Sequence, residues 1–227
     1  MSQDPAFVRA AFSSIAPRYV LTNHVLSLGI DVLWRRRVAK IVESFQPEKV
    51  LDLATGSGDL ALAIEKRCPE AEIIAADFCP EMLEVARKAG VKNTIEADAM
   101  NLPFGDAEFD VVTVAYGLRN MESWLGAAQE MRRVLKPGGN LVILDFSLPK
   151  AAILRGPYRF YLHRILPKVA GLLAKNRQAY EYLSDSIERF PSGPAMQQLL
   201  GEAGFEETQW IPLSGGISAI YVAKNPA

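Results

Sequence analysis

From Lys49 onward the chain alternates between two hydrophobic periods, and this alternation most narrows the folds open to it. VLDLA at 50–54, EIIAAD at 72–77, NTIEAD at 93–98, FDVVTVAY at 109–116 and NLVILDF at 140–146 are short, apolar and rich in β-branched residues. Strands covered on both faces read this way. Helical patterns separate several of them: Leu60 to Arg67, Pro80 to Lys88 with proline at a helix start, and Ser123 to Leu135 stopped by Pro137-Gly138-Gly139. Strand, helix, strand in succession predicts an α/β, doubly wound, mostly parallel sheet with right-handed crossovers. TQWIPL and ISAIYVAK near the C-terminus add a hairpin, bringing the sheet to seven strands, one of them antiparallel.

Two helical regions lie outside the repeat. Phe7, Val8, Phe12, Ile15 and Tyr19 recur at helical spacing, and Asp31 is placed to cap a second run with Leu33, Trp34, Val38, Ile41 and Val42. Residues 1–45 are therefore expected to form N-terminal helices that precede the main repeat. A longer helical insertion, or lid, is expected at 150–190, with another helix near 194–203. At 227 residues this is one domain, 1–227, rather than two.

Charge and cysteine content exclude several classes. Lysine and arginine total 25 against 26 acidic residues, so no overall field favours nucleic acid. Cys68 and Cys79 are the only cysteines, too few for a disulfide framework, and are expected as small buried or half-buried side chains. No apolar run reaches the roughly 18 residues a spanning helix needs, and no export signal is visible, which points to the cytoplasm. No metal is expected.

The strongest local signal is VLDLATGSGDLA at 50–61, a buried strand running through Gly56, Ser57 and Gly58 into a helix. Such glycines let the backbone turn sharply and approach a ligand at the carboxyl ends of the strands. Asp77 follows at the end of the second strand, where a carboxylate can accept both ribose hydroxyls. This arrangement serves nicotinamide dinucleotides as well as other adenosine cofactors, and Gly56-x-Gly58-x-x-Ala61 satisfies the dinucleotide fingerprint. Asp98 and Ala99 end the third strand, where they can meet an adenine edge. The fourth strand leads to GLRN at 117–120, which brings a cation and an amide to the same sheet edge. The chain has no Walker loop and no tyrosine four residues before a lysine, so a pyrophosphate-binding role loses ground.

Taken with FSSIAPRYVLTNHVLSLGIDVLWRR, the LPF loop, RVLKPGGNLVILDFSLP, YEYLSDSIERFP and AGF, these motifs resemble the class I S-adenosylmethionine-dependent methyltransferases. The closer resemblance is to the ubiquinone and menaquinone biosynthesis C-methyltransferases, over residue 7 to the end. LSLGID with LWRR, and YGLRN, are its specific marks. The resemblance implies a Rossmann-like fold, S-adenosylmethionine as cofactor and a prenylated quinol as substrate. Its cofactor-binding set is Asp52, Gly56, Ser57, Gly58, Asp77, Phe78, Asp98, Ala99 and Ala115. Where the family usually places an aspartate after Arg18-Tyr19, this chain has Val20. Asn23-His24 is more like the menaquinone-side members, favouring demethylmenaquinol over another small aromatic or lipid acceptor.

Methyl transfer to a ring carbon requires alignment of donor and acceptor and removal of a phenolic proton that titrates near pH ~10. Arg119 is the expected phenolate stabiliser, directly or through a water, Asn120 would orient the ring hydroxyl, and Tyr19 can hydrogen-bond the quinol. Asn23, His24 and His163 are the candidate substrate contacts; either histidine can act as a base near neutral pH. A nicotinamide oxidoreductase, and a non-catalytic protein that retains the fold as a partner in quinone synthesis, remain open on the residues alone.

The insertion has no acidic residue between Asp145 and Glu181 but carries Lys150, Arg155, Arg159, Arg164, Lys168, Lys175 and Arg177, interleaved with apolar side chains. This suits a peripheral contact, through 150–177, with an anionic membrane at the inner face; a lid or homodimer helix fits the same pattern. Trp34 with Arg35, Arg36 and Arg37 is a second basic patch, expected as a solvated helix face.

Overall fold

A computed structural model describes residues 29–149, 151–165 and 184–227. In chain order the elements are α1 (Ile30–Ser44), β1 (Lys49–Leu53), α2 (Asp59–Glu65), β2 (Glu72–Asp77), α3 (Pro80–Ala89), β3 (Thr94–Glu96), β4 (Phe109–Ala115), α4 (Trp124–Val134), β5 (Leu135–Phe146), α5 (Ala152–Phe160), α6 (Pro194–Glu202), β6 (Glu206–Leu213) and β7 (Ser218–Lys224). A 3-10 turn, Leu118–Asn120, follows β4, a π-helical turn, Tyr161–Ile165, extends α5, and residues 184–189 are helical. The first predicted helical run lies outside the described residues, as does most of the second half of the insertion.

The seven strands form one sheet in the order β3-β2-β1-β4-β5-β7-β6. β1 pairs in parallel with β2 and β4, and β4 in parallel with β5, whereas β7 runs antiparallel to both β5 and β6. The order reverses at β1, so the crevice beyond the carboxyl ends of β1 and β4 is the topological switch point of an open α/β sheet.

Strand periodicity builds a core on both faces. Leu51, Leu53, Val112, Val114, Leu141 and Ile143 face one way, with Met131 and Val134 of α4 and Met196 and Leu200 of α6. Val50, Val111, Val142 and Leu144 face the other way, against Val38 and Val42 of α1 and Leu60 and Ile64 of α2. Cys79 is buried, Cys68 is half-buried, and both are free thiols.

Helix starts follow the expected chemistry, with one exception. Ser123 accepts the Gly126 N–H at 3.0 Å to cap α4, and Pro80 opens α3. Asp31 is not the cap of α1: Gly29 holds that position, and Asp31 is buried in the first turn, ion-paired with Arg35. The solvated reading of the Trp34–Arg37 patch is therefore corrected. Trp34 is buried and donates from Nε1 to Ser214 Oγ at 3.1 Å, and Arg35 is buried over the Tyr116 ring, leaving Arg36 and Arg37 exposed.

Candidate active site

At the carboxyl edge of the sheet, the ends of β1, β2 and β4 and the segment after β3 enclose a cleft of about 880 Å3, open mouth included. That falls within the roughly 300–1,000 Å3 of small-molecule sites. Leu53, Ala54, Gly56, Asp77, Phe78 and Cys79 line one side, followed by Met82, Ala97, Asp98, Ala99 and Met100. Ala115, Tyr116, Gly117, Asn120, Met121 and Glu122 line the other.

Two close approaches shape the floor. A Cβ on Gly58, where φ is +82°, would come within 2.4 Å of Val91 Cγ2, so only glycine lets α2 start against the α3 loop. A Cβ on Gly117 would come within 2.4 Å of Ala54 Cβ, so the turns after β1 and β4 meet because that residue has no side chain. The flanking Ala54 and Tyr116 both have positive φ, 52° and 59°, which places backbone strain at the ends of two adjacent central strands.

Asp77 occupies the position its spacing predicted. Its Oδ2 accepts the Gly56 N–H at 2.8 Å and its Oδ1 the Cys79 N–H at 2.9 Å. Burial pushes this carboxyl up and those backbone donors pull it back. Both oxygens are oriented by the chain while the residue still lines the cleft, an arrangement suited to accepting a diol. Asp98 accepts the Met100 N–H at 2.9 Å and shares the lining with Ala99.

Five of the expected contacts among the described residues do not line the cleft. Asp52 does not line the cleft; it is buried, accepting hydroxyls from Thr55 at 2.6 Å and Thr113 at 2.7 Å, and burial pushes its pKa up to about 6. It braces the glycine loop from below. Ser57 is also buried, donating to Asp59 Oδ2 at 2.6 Å, and Gly58 serves helix packing. Arg119 is the largest correction. Instead of reaching the cleft mouth, its guanidinium is buried, 2.8 Å from Asp145 Oδ1, and it donates to the Tyr116 carbonyl. Burial pushes the Asp145 carboxyl up, opposed by that guanidinium. The cation holds the 116–120 turn rather than presenting charge to a ligand.

Asn120 does line the cleft, with Nδ2 donating to the Tyr116 carbonyl at 3.3 Å. His163 is also corrected: it sits on the π-helical turn, 3.0 Å from Glu188 Oε1, and does not line the cleft. Tyr19, Asn23 and His24 lie outside the described residues. Sequence reasoning missed Leu53, Ala54, Met82, Met100, Tyr116, Met121 and Glu122. The switch-point rule applied to every strand end would have found several, because each adjoins a predicted carboxyl terminus. Burial holds the Tyr116 phenol far above its ordinary value, so it stays protonated.

The described residues fit an adenosyl cofactor. A chain-oriented carboxylate stands where a ribose would lie, the glycine turn leaves room above it, and Asp98 and Ala99 adjoin apolar side chains suited to a base.

A cleft of this kind on this sheet order defines a class I methyltransferase fold. A SAM-dependent methyltransferase from Thermotoga maritima superposes with a TM-score of 0.69 at 20% identity, covering 96% of this chain and 99% of that one. Human N-acetylserotonin methyltransferase, solved in complex with SAM, gives a TM-score of 0.59 at 19% identity, covering 88% and 55%. The profile of the ubiE/COQ5 methyltransferase family matches residues 1–225, and the chain belongs to that family. A demethylmenaquinone methyltransferase from Thermus thermophilus is 45% identical, covering 95% of this chain and all of that protein. Its counterpart from Deinococcus radiodurans is 43% identical over 96% and 92%, and a ubiquinone/menaquinone biosynthesis C-methyltransferase from Geobacter sp. is 40% identical over 99% of both. The chain is thus a SAM-dependent methyltransferase, which decides the glycine turn against the nicotinamide reading.

Proposed function

We propose that this enzyme methylates a ring carbon of a prenylated quinol, with demethylmenaquinol as the acceptor. The observation that carries the reading is the cleft's asymmetry: one wall ends in the oriented Asp77 carboxylate, and the other in Tyr116, Gly117, Asn120 and Met121. The names of the Thermus and Deinococcus relatives support the naphthoquinol choice.

S-adenosylmethionine supplies an electrophilic methyl group on a sulfonium that needs no acid to leave. The chain's own residues bind, orient and shield. Asp77 accepts the ribose hydroxyls, with Gly56 and Cys79 holding its carboxylate in place; Phe78, Asp98 and Ala99 border the base; Ala115 closes the floor. Asn120, its Nδ2 committed to the Tyr116 carbonyl, presents Oδ1 to a ring hydroxyl and so fixes the acceptor's rotation. Arg119, through Asp145 and the Tyr116 carbonyl, keeps that turn in register. Alignment of this kind removes much of the entropic barrier to an in-line displacement. The acceptor's polyprenyl tail keeps it in lipid, so the enzyme works at a bilayer surface.

The test supplies methyl-labelled S-adenosylmethionine and a dithionite-reduced quinone extract to the purified protein. Label in a naphthoquinol is the expected result. Label in another aromatic or lipid overturns the acceptor, and cofactor binding without transfer overturns catalysis.

A further inference from the structure

Among the described residues, the large apolar side chains left exposed are Ile30, Leu33, Ile153, Leu154 and Phe160, with Ile153 83%, Phe160 62% and Leu33 60% accessible. They are not scattered singly, as exposed apolar residues usually are. Three lie on α5 and two on the first turns of α1. The turn at 214–216 touches both helices: Ser214 Oγ accepts from Trp34 of α1, and a Cβ on Gly215 would stand 3.2 Å from Leu154 Cδ1 of α5. α1 also adjoins the cleft, since its Arg35 stacks on the ring of Tyr116, which lines it.

On α5, Ile153, Pro157 and Phe160 follow at i, i+4 and i+7 and share one face, whereas Arg155 and Arg159 lie around the helix from it, Arg155 donating to the Pro149 carbonyl at 2.9 Å and Arg159 to Glu188 Oε1 at 2.6 Å. On α1, Leu33, Arg36, Arg37 and Lys40 are all exposed and share a face by the same spacing. Residues 151–165 contain Arg155, Arg159 and Arg164 and no acidic residue. Glu188, from the 184–189 segment, is the carboxylate facing Arg159 and His163.

The charge decides between occupants. The chain outside the described residues cannot neutralise this face: 1–28 has Asp4 against Arg9 and Arg18, and 166–183 has Glu181 against Lys168, Lys175 and Arg177. A second copy meeting it across a two-fold axis would bring the same cations onto themselves. A surface that is anionic, broad and receptive to protruding apolar side chains satisfies both halves of the pattern. We propose that α5 and the outer face of α1 form a docking surface for an anionic lipid bilayer, which sets the cleft mouth at the headgroup level. The proposal deepens the prenylated-quinol reading and rests on it for its purpose.

Flotation with phosphatidylcholine vesicles, with and without phosphatidylglycerol, tests it on the full chain. The protein is expected to float with the anionic vesicles at low salt and to be released by high salt. Ile153→Ser/Phe160→Ser should weaken binding at least tenfold. Arg36→Gln/Arg37→Gln/Lys40→Gln should weaken it about a hundredfold, about fivefold for each cation removed near the headgroups. All these positions are exposed, and circular dichroism checks that the variants fold. Failure of the unaltered protein to float, binding indifferent to phosphatidylglycerol, or a tightly bound serine variant overturns the proposal. So does a dimer, seen by sedimentation equilibrium, that the serine variant dissociates. Methylation of a short-chain, water-soluble quinol should proceed equally in all three proteins. If none methylates it while the unaltered protein floats, the quinol reading fails and the docking surface stands.

Discussion

The two walls of the cleft use charge in opposite ways. On the β1–β2 wall, Asp77 turns its carboxylate toward the cavity and is held by backbone N–H groups, so the charge remains available to a ligand. On the wall formed by the end of β4 and the turn after it, Arg119 turns away from the cavity to pair with Asp145 of β5, and what the ligand meets is mostly backbone, methionine and amide. The first wall recognises by direct polar contact, whereas the second recognises by shape maintained from behind. A ligand with a hydrophilic sugar and an apolar ring partner suits such a division.

If the second wall is held by its buried ion pair, breaking that pair should have the largest effect. Arg119→Met leaves Asp145 buried without its cation and should cost about 3–5 kcal/mol in urea unfolding. Arg119→Met/Asp145→Leu should recover most of that loss, and a single variant as stable as the parent would erase the contrast between the walls. On the first wall, Asp77→Ala removes hydrogen bonds to a charged acceptor, each worth about 1.5–3 kcal/mol, and should weaken S-adenosylmethionine binding at least about a hundredfold by calorimetry, with a loss of stability as well because the Gly56 and Cys79 N–H groups lose their acceptor.

Asp52 sharpens the comparison through pH. Its folded pKa of about 6 lies above the ordinary carboxyl value of 3.8 because burial disfavours the charge. The folded state therefore holds the proton more tightly than the unfolded chain. The resulting stabilisation is full below pH about 4 and is lost as pH rises through about 6. Relative to the parent, Asp52→Asn should gain about 2–3 kcal/mol between pH 4 and 6.5, read from denaturant curves at each pH. A flat difference would place the carboxylate in contact with solvent. The smallest effect belongs to the periphery: His163→Gln should cost less than about 1 kcal/mol and leave kcat within about twofold. A large loss of turnover would bring His163 back to the acceptor.

Much of this was legible residue by residue. EIIAAD matches β2 at both ends, because a strand covered on two faces is a continuous apolar run with no competing helical period. Gly56, Asp77, Phe78, Asp98, Ala99, Ala115 and Asn120 all line the cleft, since the ends of predicted parallel strands must share one edge. Asp52 was misread although it sits in the same strand and loop. Strand alternation turns it to the α2 side, where its partner Thr113 comes from 61 residues away. Arg119 was misread for the same reason, with Asp145 26 residues further along.

By itself, then, the sequence determined the sheet, its winding and the edge where chemistry collects, because those follow from periodicities of two and 3.6 residues and from glycines at turns. Only the tertiary structure decided which polar side chains at that edge face the cleft and which pair beneath it. That choice depends on partners brought together by strand pairing, and a buried charge goes where its counter-charge is, not where its neighbours in the chain point.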